Sequence, residues 1–165
     1  MKNFFTLIAL SIFSLNVFSQ SFQVPKNYKL ENKDDYARYE KSIVECIDWL
    51  LATPISQETE KRQAANDFLV KWLSGSPDVS VDIEQQIVTF VDSPEYLLMF
   101  MGGWAKYAIE NNDYTSKRNG NIAGIEAVIE FYNKNKELIG KNKNVEKYVK
   151  LKENGELEKF IQSKI

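Results

Sequence analysis

The chain has 165 residues, with 21 Lys plus Arg against 23 Asp plus Glu, a formal net charge of −2, no histidine and a single cysteine, Cys46. The missing imidazole excludes Ser-His-Asp and Cys-His catalysis, HExxH zinc hydrolysis and a near-neutral histidine switch, so any chemistry would rest on carboxylates, lysine, tyrosine or the backbone. A lone cysteine excludes an internal disulfide framework and any multi-cysteine metal site.

At the N-terminus, Lys2 precedes an apolar stretch from Phe4 to Phe18, followed by Ser19, Gln20 and Ser21. This is the charged, apolar and polar order of a secretory signal, with Val17 and Ser19 as the uncharged side chains before the cut. Residues 1–19 are therefore expected to be a cleaved signal peptide, leaving Gln20 as the new terminus and directing the protein to the periplasm or the exterior. An uncleaved anchor needs roughly 20 apolar residues. This stretch has 15, interrupted by Thr6, Ser11, Ser14 and Asn16. No cysteine stands at the junction to carry a lipid. Removing 19 of the 165 residues leaves 146, enough for a single domain with a sizeable core. Its longest apolar run, Leu97 to Ala105, is too short to cross a bilayer, so the mature chain is expected not to span a membrane.

Residues 20–33 show no period, contain Pro25 and suggest an extended arm; residues 34–165 follow as a helical domain. Tyr36, Tyr39, Ile43, Cys46, Ile47 and Leu50 recur at three- and four-residue spacing and predict a first amphipathic helix, begun at Asp34–Asp35 and stopped by Pro54. Cys46 falls on this stripe and is expected to be a buried, quiet hydrophobe. Ser56 is the expected N-cap of a second helix bearing Ala65, Phe68, Leu69, Trp72 and Leu73, ended by Gly75 and Pro77. Residues 79–91 are ambiguous between strand and helix, and a short helix from about Asp82 is favoured. Ser93-Pro94-Glu95 is the clearest start signal in the chain, and opens a helix to about Glu110 that is apolar nearly all round and so expected to be central. After the loop Asn111–Arg118, a helix carries Ile122, Ile125, Ile129 and Tyr132 and ends at Gly140. Two shorter helices follow, one with Val145, Tyr148 and Val149, the other with Leu157, Phe160, Ile161 and Ile165, broken at Asn154-Gly155. The expected fold is all-α: one small domain of six or seven helices, arranged as a bundle or as an array of helical hairpins.

No motif names a chemistry. Glu126 and Glu130 lie four apart on one helix face, yet di-metal bundle sites add Glu-x-x-His pairs that this chain cannot supply, so solvent exposure accounts for them better. The Asn111–Asn121 loop is rich in hydrogen-bonding groups but lacks the spacing of a calcium or phosphate loop. Residues 20–133 carry 11 basic against 18 acidic side chains, and residues 134–165 carry 9 against 5. The basic end is expected to pack on the acidic body rather than on nucleic acid, because its lysines alternate with glutamates and it has no arginine. Trp49, Trp72 and Trp104 are expected in the core.

Gly102 and Gly103, inside a strong apolar helix, each weaken it by about 0.5–1 kcal/mol relative to alanine and imply close packing or room for a ligand. Gly120, Ala123, Gly124 and Ala127 on the following helix form the matching small surface. Gly102, Gly103, Trp104 and Gly124 are thus the candidate ligand-binding residues. No cofactor, metal or catalytic residue is assigned. The leading expectation is a non-enzymatic binding or envelope accessory protein whose partner is another envelope or secreted protein. A carrier of a small apolar molecule held between helices is the alternative, and a carboxylate-dependent hydrolase comes third.

Overall fold

Residues 22–165 are described by a computed structural model, and among them all regular structure is helical, in six helices with no strand. The expected signal peptide, residues 1–19, lies outside the described residues. None of the described helices is long and apolar enough to cross a membrane.

The arm has no regular structure over residues 22–32 but is tied down by aromatic contacts. Phe22 is buried 6.3 Å from the Trp49 ring, and Tyr28 meets Phe68 edge-on at 4.8 Å. Helix α1 spans Lys33–Ala52. The capping side chain is Asn32, which accepts from the Asp35 backbone N–H at 3.2 Å, while Asp34 and Asp35 occupy the first turn and complement the helix dipole. Its expected stripe is in place, with Ile43, Cys46, Ile47 and Leu50 fully buried.

Helix α2 spans Thr59–Gly75, two residues later than an N-cap at Ser56 would start it. The Gln57 N–H bonds the Pro54 carbonyl at 3.0 Å, drawing Ser56 into a turn, and Glu58 takes the cap position in the left-handed region at φ 46°. Its apolar stripe is as expected, and Trp72 is sealed in the core with its indole N–H donating to the Tyr36 carbonyl at 3.0 Å.

The favoured helix from Asp82 is absent. Residues 79–84 have no regular structure and residues 85–92 form two successive turns, with Val88 N–H to Glu84 carbonyl at 2.8 Å and Ser93 N–H to Phe90 carbonyl at 3.0 Å. The segment buries Val79, Ile87, Val88 and Phe90 and leaves Ile83 and Val91 exposed, a pattern with no helical period. Its backbone is held from outside: the Tyr148 hydroxyl donates to the Ile87 carbonyl, and the Asn144 amide donates to the Thr89 carbonyl at 2.7 Å.

Helix α3 runs Pro94–Asn111, opening at Ser93 with proline in the first turn, although the serine side chain makes no capping bond. Helix α4 runs Lys117–Ile139, with Ser116 capping the Asn119 N–H at 3.3 Å and Gly140 closing it at φ 77°. Helices α5, Lys143–Glu153, and α6, Leu157–Gln162, complete the chain with their break at Asn154-Gly155. The pairing of α3 with α4 is the largest helix contact; α1 lies on α3 and α2, and α5 and α6 lie on α4.

Cys46 is fully buried, its thiol donating to the Ala65 carbonyl at 3.5 Å, and burial pushes its pKa up to about 12. It is therefore expected to resist iodoacetamide in the native protein and to label only after denaturation, because the thiolate is the reactive species. Rapid native labelling would show that the α1–α2 interface opens.

Candidate functional site

The candidate glycines lie at the α3–α4 crossing, where the helices come within backbone contact. A Cβ placed on Gly103 would stand 2.6 Å from both the Ala123 carbonyl oxygen and the Ala127 Cβ. On Gly124 it would meet the Phe100 ring at 2.6 Å and the Phe100 carbonyl at 2.9 Å, and on Gly120 it would run into the Trp104 indole. Gly102 faces the other way, toward Ile47 and Leu69, with its nearest neighbour at 3.4 Å. The four residues therefore do not line one cavity. Gly103 and Gly124 admit the opposing helix, Trp104 fills the space over Gly120, and Gly102 packs on α1 and α2.

Outside this seam, Gly103 reaches the floor of an open groove of 620 Å³ between α1, α3, α4 and α5. Leu51, Ala123, Ala127, Ile129 and Val149 complete an apolar floor, and the rim is charged. Four rim carboxylates, Glu110, Glu126, Glu130 and Glu153, stand against two lysines, Lys106 and Lys152. Lys152 pairs with Glu126 at 2.7 Å and Lys106 with Glu110 at 3.8 Å, while Lys106 also meets Asp48 on α1. Glu130 and Glu153 have no ion-pair partner among the described residues. Glu126 and Glu130 thus share the groove, but Glu126 is engaged by a cation. Lys152–Glu126 also joins the basic C-terminal segment to the acidic body, whereas Arg118–Glu158 at 2.5 Å joins the two with the signs reversed.

The Asn111–Asn121 segment, whose last residues are the first turn of α4, has its polar groups engaged within the fold, with Tyr114 donating to Glu40 at 3.3 Å and Lys117 pairing with Asp82 at 2.5 Å. The Tyr107 hydroxyl donates to Asp113 Oδ2 at 2.8 Å and accepts from the Asn119 amide at 2.7 Å, and Asp113 Oδ1 accepts from the Ser116 N–H at 3.1 Å. The Tyr107 bond holds the Asp113 carboxyl below its ordinary value of 3.8 and raises the tyrosine in turn. A carboxylate depressed by folding stabilises the folded state above its unfolded pKa, and that contribution is lost as the pH falls through and below about 4. The loop signals in an NMR pH titration should accordingly stay fixed from about pH 8 to 6 and shift only at about 4 and below. Movement between pH 6 and 8 would contradict this network.

A second, smaller cleft of 240 Å³ opens between the α1–α2 turn, α2, α3 and α4, lined by Ile55, Arg62, Asn66, Leu98, Met99 and Phe131, with Glu95 also at its wall. Arg62 is only 7 % exposed. Its Nη2 donates to the Leu50 carbonyl at 3.2 Å and to the Thr53 carbonyl, closing the C-terminal end of α1. On α4 the buried Asn135 carries the α1–α2 turn: its Oδ1 accepts from the Ile55 N–H at 2.8 Å and its amide donates to the Phe131 carbonyl at 2.8 Å. The sequence reasoning missed both residues. The available signal was position: Arg62 is in line with Ala65, Leu69 and Trp72, and Asn135 with Val128, Phe131 and Tyr132, each a polar side chain standing in an apolar stripe.

No protein-family model, curated protein or solved structure matches the chain. Among the described residues, no three metal-ligating side chains converge.

Proposed function

We propose that the chain is an exported, non-enzymatic binding domain, built as an array of helical hairpins, which docks a basic segment of another envelope or secreted protein in the α3–α4–α5 groove. The observation that carries this is the groove's make-up. Its floor sets Gly103, Ala123 and Ala127, over which a polypeptide backbone can approach closely, beside Leu51, Ile129 and Val149, and its rim has two more carboxylates than lysines, with Glu130 and Glu153 lacking an ion-pair partner among the described residues. Such a rim favours a lysine- or arginine-bearing partner and disfavours an acidic one. Contacts between the filled seam residues support placing the partner in the groove rather than an apolar ligand between α3 and α4. Export rests on the order of residues 1–19.

The test is native mass spectrometry of the protein purified from its own envelope fraction, beside a Glu130→Lys/Glu153→Lys variant. The intact chain should begin at Gln20, and the wild type should carry a protein partner at fixed stoichiometry. The variant should lose it with an unchanged melting temperature, because neither carboxylate is paired in the folded protein. A wild type isolated without any protein partner overturns the reading.

A further inference from the structure

The last turn of α4 stands clear of the packed part of the domain. Asn135 is fully buried, yet every residue from Lys136 to Lys141 is exposed, Leu138 at 57 % and Ile139 at 40 %. Gly140 closes the helix at φ 77°, and a Cβ placed on it would meet nothing within 4 Å. Among the described residues Leu138 is the most exposed large hydrophobic, and it adjoins a second one in Ile139.

Cations surround this apolar pair. Residues 134–145 carry four lysines, Lys134, Lys136, Lys141 and Lys143, against one carboxylate, Glu137. None of the four is in an ion pair among the described residues. Lys134 donates to the Ala52 carbonyl at 3.0 Å, which leaves Lys136, Lys141 and Lys143 exposed beside Leu138 and Ile139. The acidic body does little to balance this end of the chain: of the nine lysines in residues 134–165, Lys152 alone reaches a carboxylate among the described residues.

An apolar pair on a convex turn, flanked by unbalanced cations, matches a surface that is anionic above and apolar beneath. The boundary of a phospholipid bilayer is such a surface: apolar side chains settle about 5–10 Å into it while lysine stems reach back to the phosphates. Weak apolar anchoring holds only with a second, basic signal, and the turn supplies both. A folded protein partner is the poorer fit, because two side chains on a convex turn offer far less than the roughly 800 Å² per partner of a stable interface. A second copy is disfavoured by the repulsion of like charges.

We propose that the α4–α5 turn docks the protein on an anionic phospholipid surface, with Leu138 and Ile139 inserted at the headgroup boundary and Lys136, Lys141 and Lys143 on lipid phosphates. This does not rest on the use made of the α3–α4–α5 groove.

The test is flotation of the detergent-free protein with vesicles of equimolar phosphatidylglycerol and phosphatidylcholine, beside vesicles of phosphatidylcholine alone. At about fivefold per lysine, three lysines give a preference for the anionic vesicles on the order of a hundredfold at low salt, and it should fall as salt is raised. Leu138→Ser/Ile139→Ser should bind at least about tenfold more weakly, and Lys141→Gln/Lys143→Gln about twentyfold, each with an unchanged melting temperature. An environment-sensitive dye on Leu138→Cys should shift to the blue on the anionic vesicles, whereas the same dye on Val70→Cys, exposed on α2, should not. Native labelling is confined to the introduced thiol because Cys46 is buried. Each comparison is between variants of one chain, and the dye reads position 138 itself, so neither depends on whether residues 1–19 are still attached. The proposal is overturned if the wild type floats with neither vesicle or equally with both, if the serine variant floats as well as the wild type, or if the dye shifts alike at positions 138 and 70. An acidic protein that co-purifies with the wild type and is lost from the serine variant, with no flotation of either, would assign the turn to that protein instead.

Discussion

Gly103→Ala is expected to lower the unfolding free energy by about 1–3 kcal/mol, the usual penalty for overpacking a filled contact. Gly102→Ala should leave it unchanged or raise it by up to about 1 kcal/mol through helix propensity. The difference comes from what each new methyl would touch. At Gly103 it would meet a backbone carbonyl and the Cβ of Ala127, both at 2.6 Å, and neither has a rotamer through which to withdraw. At Gly102 the nearest atom is a side-chain carbon of Ile47 at 3.4 Å, an ordinary van der Waals distance. Paired thermal melts decide the matter, since 1 kcal/mol moves the midpoint by about 2–4 °C in a domain of this size. A Gly103→Ala protein as stable as the wild type, with weakened uptake of an apolar probe, would restore the carrier between α3 and α4.

The largest loss is expected at Trp72. It heads the fully buried side chains by volume, touches Tyr36 at a ring separation of 6.4 Å and donates its indole N–H to the Tyr36 carbonyl. Trp72→Ala should remove about 3–5 kcal/mol, combining lost transfer energy with an unfilled cavity. Trp72→Phe keeps much of the volume and removes the donor, so its smaller loss isolates the hydrogen bond and the residual space, on the order of 1–2 kcal/mol. Urea unfolding of both variants gives these values. An alanine variant within about 1 kcal/mol of wild type would mean that the site collapses around the change or that Trp72 is not packed as described.

These two positions also show how much of the fold could be read from residue order. Trp72 belongs to a stripe of period 3.6; such stripes located α1, α4, α5 and α6 together with the stops at Gly140 and Gly155, while the Ser93-Pro94-Glu95 start signal located α3. The signals that failed were short-range ones in competition with longer-range bonds. Ser56 has capping chemistry, but Pro54 opens a turn that absorbs it, and the helix waits for Thr59. Residues 82–91 have helix-compatible spacing, but Asn144 and Tyr148, more than fifty residues away in sequence, take the Thr89 and Ile87 carbonyls that a helix would need. Arg62 and Asn135 were invisible for another reason: a single polar side chain in an apolar stripe does not announce whether it is a buried cap, a turn anchor or a tolerated exception. The small-residue surfaces of α3 and α4 were legible as a pair, whereas the charged groove beside them was not, because it is assembled from four helices whose mutual arrangement no local pattern encodes.

The α3–α4 contact has a mechanical consequence. Helices kept apart by side chains can slide or roll by exchanging rotamers, but where the carbonyl and Cβ of one stand against the Cα of the other there is nothing to exchange. Helices α3 and α4 therefore form a single rigid spine. The turn between α1 and α2 is tied to that spine as well, since the Ile55 N–H donates to the buried Asn135 Oδ1 on α4 at 2.8 Å. The Arg62 cleft therefore has this spine as its fixed wall, with Leu98 and Met99 of α3 and Phe131 of α4 set in one rigid body.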